Sequence, residues 1–204
     1  MKKIPTLFER EFQNHKVVGI TDKLTPGLSW EFLASCTPTE KIGGSCCAII
    51  GGELYKRYDA KKGKKPPEGA IPCCDPDPVT GHWPHWVKCD RSNPQDKWFF
   101  SALDSTCFGV MGAPDWTYEA IGKHFQGNPY NMAGDMLIDH GHFIIHETLD
   151  SFESIRAYLE THNIEGIVWW SNDPDGTVPV CKIKRSDFGL PWPVKEATDG
   201  TDKD

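Results

Sequence analysis

The sequence has no apolar run approaching the roughly 18 residues a membrane-spanning helix needs, and after Met-Lys-Lys-Ile-Pro it turns polar without the apolar stretch of an export signal. Both absences predict a chain that is neither inserted in a membrane nor secreted, and that works in the cytoplasm. No segment repeats at a period of about 20 to 50 residues, which excludes solenoids and propellers, and low-complexity blocks are missing. Cysteine is not scarce, at eight residues, but no Cys-x-x-Cys pair occurs, and Cys46-Cys47 and Cys73-Cys74 are adjacent. In a chain of 204 residues without an export signal, that pattern predicts reduced thiols and not a disulfide scaffold. An overall excess of positive charge is missing too: the net charge is −7 and the pI about 5.6.

What the chain does contain is aromatic mass, with ten Phe and eight Trp, and 38% hydrophobic residues, enough to build a core without metal or disulfides. Its cations are clustered. The decapeptide KRYDAKKGKK, Lys56 to Lys65, carries +5 and leaves −12 on the remainder, so the acidic total conceals a basic patch. Sixteen Pro and 19 Gly divide the chain into short segments in which strands dominate. Ser45 to Ile50 and Glu53 to Tyr58 read as a hairpin about the Gly51-Gly52 turn. Ile164 to Trp170 and Val178 to Arg185 read as a second hairpin joined by SNDPDG, and Trp116 to Ile121 as a further strand. A helix is predicted from about Ser151 to His162, where Asp150 and Glu153 suggest a capping box and Ile155, Tyr158, Leu159 and His162 recur on one face. The proline-rich stretch from Pro66 to Cys89 reads as a long ordered loop. One domain over residues 1–193 and a disordered acidic tail over 194–204 are expected.

Within that loop Cys73, Cys74, His82, His85 and Cys89 offer zinc-type donors. The lack of a Cys-x-x-Cys pair and the tryptophan between the histidines weigh against a metal; Trp83 and Trp86 would pack the loop onto the body or stack on a base. The other chemistry-bearing set is ionic. Lys41 stands before Ile42-Gly43-Gly44 at the entry to the first hairpin, an unremarkable place for a solvated lysine taken alone. Glu165-Gly166 opens the second hairpin and Lys182-Ile183-Lys184 closes it; because strand side chains alternate, both lysines share a face beside the strand carrying Glu165.

Taken in order, these residues resemble the covalent nucleotidyltransferases, which include ATP-dependent RNA and DNA ligases and capping enzymes. Lys41-Ile42-Gly43-Gly44 resembles the nucleophile motif lysine-x-aspartate-glycine, Lys56-Arg57 the following arginine motif, and Tyr118-Glu119 the strand-glutamate motif. Glu165-Gly166 and Lys182-Ile183-Lys184 match the last two motifs. Small RNA ligases of phage type are the nearest kind, through KIPTLFER, LYKRYDAKKGKKPPEGAIP, DPVTGHWPHWV and the QGNP beginning at Gln126, and the resemblance runs from about residue 5 to 193. One position departs: Gly43 stands where the family has aspartate.

The resemblance implies an α+β nucleotidyltransferase (adenylation) domain, two antiparallel sheets flanking a nucleotide cleft with peripheral helices. It implies an RNA-repair ligase, monomeric, using ATP and Mg2+ to join the 5′-phosphate and 3′-hydroxyl ends of RNA through a lysyl-AMP on Lys41. A protonated lysine cannot attack phosphorus, so its pKa must be lowered, and Lys182 and Lys184 are expected to do this while holding phosphate. By the same resemblance Glu119 binds the ribose, Arg57 the ribose or phosphate, Glu165 metal or ribose, Glu40 borders the base, and Phe143 stacks on it. The alternatives are a DNA ligase, a capping-type nucleotidyltransferase, or, given Gly43, a non-catalytic nucleotide or RNA-end binding protein.

Overall fold

A computed structural model describes residues 4–194 apart from His15, Lys62, Val79, 109–111 and 173–177. The predicted tail beyond Val194, most of the SNDPDG turn and Lys62 of the basic run therefore lie outside the described residues. In chain order the elements are β1 (Phe8–Gln13), β2 (Lys16–Leu24), α1 (Trp30–Ala34), β3 (Thr37–Lys41), β4 (Ser45–Ile50), β5 (Glu53–Ala60), β6 (Ile71–Pro72), β7 (Trp83–Lys88) and α2 (Lys97–Ser105). They continue with β8 (Trp116–Gly122), β9 (Asp135–Asp139), α3 (Phe152–Thr161), β10 (Gly166–Trp170), β11 (Pro179–Lys184) and a 3-10 turn, Arg185–Phe188. The protein is sheet-rich with few helices, in keeping with an α+β class, and among the described residues no helix is long and apolar enough to cross a membrane. It divides into two compact units, each named for its place along the sequence: the central one is formed chiefly by 42–143, and the flanking one by 5–41 and 144–194, the stretches on either side in sequence.

The central unit is one antiparallel sheet of six strands in the order β6-β7-β5-β4-β8-β9. Gly51 and Gly52 both have positive φ, as the two-residue turn between β4 and β5 requires, and the Asp115 carboxylate accepts from both of their amides at 2.7 and 3.1 Å. Cys47, Ile49, Leu54, Tyr118, Ala120 and Leu137 form one apolar side of the sheet, closed by Ala102 of α2 and Phe125.

The flanking unit holds the two-stranded sheet β1-β2 and the three-stranded antiparallel sheet β11-β10-β3. Ile167, Trp169, Cys181 and Ile183 pack on Ile155 and Leu159 of α3 and on Leu7 and Phe8. Each such fully buried aliphatic side chain contributes about 1.5–3 kcal/mol. The α3 cap differs from expectation: Ser151 is the N-cap, and its hydroxyl and that of Ser154 exchange bonds with each other's backbone amides at 3.1 Å. The helix thus starts one residue later than an Asp150–Glu153 box requires. Its C-terminus is held by buried Arg185, whose guanidinium donates to the carbonyls of Leu159, His162 (2.8 Å) and Pro191 (2.8 Å).

The expected long loop also differs. Trp83–Lys88 is a strand, β7, paired with β5 on one side and with two-residue β6 on the other. Trp86 is buried, His85 is fully enclosed with Nδ1 2.9 Å from the Trp83 carbonyl, and Trp83 Nε1 donates to the Cys74 carbonyl at 2.7 Å. Trp86 is thereby a packing residue, and Trp83 ties β7 to the loop before it. Among the described residues, Cys73, Cys74, His82, His85 and Cys89 do not form a metal-binding group.

Candidate active site

Three strands of the flanking unit converge on one carboxylate. Gly166, the first residue of β10, is paired with Lys41 at the end of β3 on one side and with Lys184 at the end of β11 on the other. Residues directly opposite across antiparallel strands point to the same face, so both ammonium groups stand over the same spot. Glu165, just before β10, supplies the counter-charge: its Oε2 lies 2.7 Å from Lys41 Nζ and its Oε1 2.6 Å from Lys184 Nζ. Burial by itself would raise the Glu165 pKa, but Lys41 and Lys184 outweigh it and hold the carboxyl below the usual glutamate range. Lys182 is two residues before Lys184, opposite Val168, and so on the same face one step along.

The close fit depends on Gly166. A Cβ there would lie 2.1 Å from the Ile183 carbonyl oxygen and 2.9 Å from Lys184 Cα, both backbone atoms that cannot step aside. Gly166→Ala is therefore expected to drive β10 and β11 apart and to lower stability by about 3 kcal/mol or more. Gly134→Ala, at a position with ordinary φ and nothing within 4 Å of the added carbon, serves as the neutral control. Equal urea midpoints for the two variants would refute the argument.

Glu40 does not join this set. Its neighbour Lys41 takes one face of β3 and Glu40 the other, where burial raises its carboxyl pKa and nearby His162 partly counters that.

The second cluster is on the central unit. Glu119 of β8 is directly opposite Cys46 of β4, and Arg57 of β5 donates from Nε to Asp59 at 2.8 Å and also hydrogen-bonds the Cys46 thiol. His140 follows β9 and brings Nε2 to 3.1 Å from Glu119 Oε1, while its Nδ1 is 2.9 Å from Thr117 Oγ1. Glu119 Oε2 is buried and makes no hydrogen bond among the described residues. Cys46, beside it, has its thiol pushed up to about 12, chiefly by burial and then by the Glu119 charge. The resemblance brought Arg57 and Glu119 to notice; Cys46 and His140 it did not.

Around the expected nucleophile motif, Gly43 N–H donates to the Tyr130 hydroxyl at 2.7 Å. A Cβ on Gly44 would lie 2.5 Å from the Ala120 carbonyl oxygen, so no larger residue fits at that position without a backbone shift. Phe143 is solvent-exposed and meets His142 edge to face at 4.6 Å. The basic run splits in two. Lys56 pairs with buried Asp96, and Arg57 is engaged as above, whereas Lys61, Lys64 and Lys65 are exposed.

Part of the chain, including several of these residues, is similar to known proteins. Residues 107–201 match the family model for RNA ligase 1, a span that includes Glu119, Phe143, Glu165, Lys182 and Lys184 but not Lys41. The chain is 25% identical to RNA ligase 1 of Pongo abelii over an alignment covering 92% of this chain and 78% of that protein. RNA ligase 1 of Danio rerio is also 25% identical, with 96% and 83% covered, as is that of Rattus norvegicus, with 92% and 78%.

Proposed function

We propose, from the premise that this chain is a member of the RNA ligase family, that it joins RNA 5′-phosphate and 3′-hydroxyl ends through AMP carried on Lys41. The observation that carries this reading is the Glu165 carboxylate held between the ammonium groups of Lys41 and Lys184. Stable burial of charge needs pairing, and a triplet of this kind is an expensive way to finish three strand ends unless the lysine does chemistry.

In the first step Lys41 Nζ gives up a proton and forms a bond to the α-phosphorus of ATP. The bond from that phosphorus to the bridging oxygen breaks, and pyrophosphate leaves. Glu165, at 2.7 Å, aims Lys41 Nζ by hydrogen bond while the ammonium proton passes to solvent, and Lys184, once that carboxylate turns from it, is free to hold phosphate oxygen. Lys182 adds a second cation on the same face. In the second step a 5′-phosphate oxygen of RNA displaces Lys41 from the AMP phosphorus, and in the third a 3′-hydroxyl oxygen attacks the RNA phosphorus and releases AMP. Glu119 and Arg57 keep the nucleotide-binding role that the resemblance gives them, and exposed Phe143 that of a base-stacking ring.

RNA ligases generally use ATP with a divalent metal. Glu165 does not suit magnesium as it stands, because each of its oxygens already holds an ammonium group at 2.6–2.7 Å.

Incubation with ATP and Mg2+ should add the mass of one AMP to the intact protein, GTP should not, and a nicked RNA with 5′-phosphate and 3′-hydroxyl ends should then be sealed. Neither adduct nor sealed product under those conditions would sink the proposal.

RNA attraction is assigned to Lys61, Lys64 and Lys65. Each phosphate neutralised adds about 0.7 to the slope of log affinity against log salt for a single strand, so replacing all three with serine should flatten it by about 2. The adduct, which needs no RNA, should form at the wild-type rate. An unchanged slope would mean that RNA docks elsewhere.

A further inference from the structure

Cys46, Glu119 and His140 sit together on the central unit, and a nucleotide-binding role accounts for only one of them. One ligand atom from each, the Cys46 sulfur, a Glu119 oxygen and a His140 nitrogen, lie within 4.8 Å of one another. A thiol adds little for a ribose hydroxyl, whereas sulfur, imidazole nitrogen and carboxylate oxygen together are the donor types of a zinc-class ion and not of magnesium.

Three features make the group a prepared site. First, Cys46 and Glu119 are a directly opposed pair on neighbouring strands of a six-stranded sheet, so their separation is fixed by backbone register. Second, His140 is pinned at three points: its N–H donates to the Thr117 carbonyl at 3.0 Å, its carbonyl accepts from Trp116 Nε1 at 2.9 Å, and its Nδ1 meets Thr117 Oγ1 at 2.9 Å. A ring nitrogen held by a neighbour while the other faces the ligand group is how metal-binding histidines are oriented. Third, Glu119 Oε2 is buried without a hydrogen bond among the described residues, a costly condition that coordination would relieve.

We propose that Cys46 Sγ, Glu119 and His140 Nε2 bind one Zn2+-class cation, with the fourth position open. Binding releases the thiol proton to solvent and moves the imidazole proton to Nδ1, where Thr117 Oγ1 accepts it. Thiolate and carboxylate together balance the ion's charge. This goes beyond the ligase reading and is tested without ATP or RNA, so that either can fail alone.

The probe is Co2+ titrated into the full chain under reducing conditions. One equivalent should bind with a thiolate-to-metal charge-transfer band in the near ultraviolet, and Zn2+ should displace it. Cys46→Ser should lose the band, while Cys107→Ser, which removes an exposed thiol elsewhere, should keep it. Thr117→Val, which removes only the oxygen on His140 Nδ1, should weaken cobalt binding about 10–100-fold with the band retained. Thermal unfolding of each metal-free variant checks that it folds; should Cys46→Ser not fold, His140→Gln takes its place, with loss of tight binding expected. No band in the wild-type chain, or an unaltered titration in a folded Cys46→Ser or His140→Gln protein, would overturn the assignment.

Discussion

Lys41→Arg should form no AMP adduct at all while remaining as stable as the wild-type chain. Arginine keeps a positive charge beside Glu165 but cannot give up its proton at any ordinary pH, so it preserves the ion pair and removes the nucleophile. Lys41→Ala should also form no adduct, but it leaves the buried carboxylate one partner short and should unfold at lower denaturant. The pair of variants therefore separates the chemical role of the lysine from its structural one. Intact mass after incubation with ATP and Mg2+ reads the first and urea midpoints the second. An adduct that survives in the arginine variant, or that maps to Lys182 or Lys184 by peptide sequencing, would assign the nucleophile elsewhere.

Glu165→Gln should slow adduct formation by about 100-fold, the usual cost of losing the group that aims a nucleophile. It should also destabilise the chain, because two ammonium groups then share a site with no counter-charge. Breaking a fully buried pair costs about 3–5 kcal/mol; Lys184 is about one-third exposed, so about 1–3 kcal/mol is expected here. The effect carries a pH signature. The carboxyl is held below its ordinary range, so its stabilisation is fully present above the unfolded value of about 4.3 and is lost as pH falls through the folded value. The gap in urea midpoint between wild type and Glu165→Gln should therefore be widest near neutrality and narrow on acidification below about pH 4. A gap independent of pH would mean that the carboxylate's charge is not what stabilises the three strand ends.

The parts of this protein legible in its sequence are those fixed by short-range rules. The Gly51-Gly52 turn, the strands around it, the second pair of strands, strand β8 and the apolar face of α3 all follow from periodicity and turn chemistry, and each is present. So is the meeting of Glu165 with Lys184, since alternation and hairpin register suffice to predict it. Strand β7 was hidden because Trp83-Pro84-His85-Trp86 carries a proline, which cannot donate to a ladder and so argues against a strand. The strand tolerates it because its outer neighbour, β6, is only two residues long. Lys56 read as part of the basic patch because its partner, Asp96, is 40 residues away and its burial is a property of packing. His140 carried no signal at all: which residue of β8 it meets depends on the register of β8 with β9, and register is set by the whole sheet.

Strand β11, which carries Lys182 and Lys184, is the last strand of its sheet and would present a bare row of amides and carbonyls to solvent. It does not, because the segment Pro5–Leu7 lies against it: Lys182 N donates to the Pro5 carbonyl at 3.0 Å, Leu7 N donates to the Lys182 carbonyl at 2.7 Å, and Leu7 and Phe8 are wholly enclosed beyond. At Lys182 the segment thus takes the place of a further strand along the β11 edge. Deleting Pro5–Leu7 would bare that edge next to the lysines and favour strand-to-strand association.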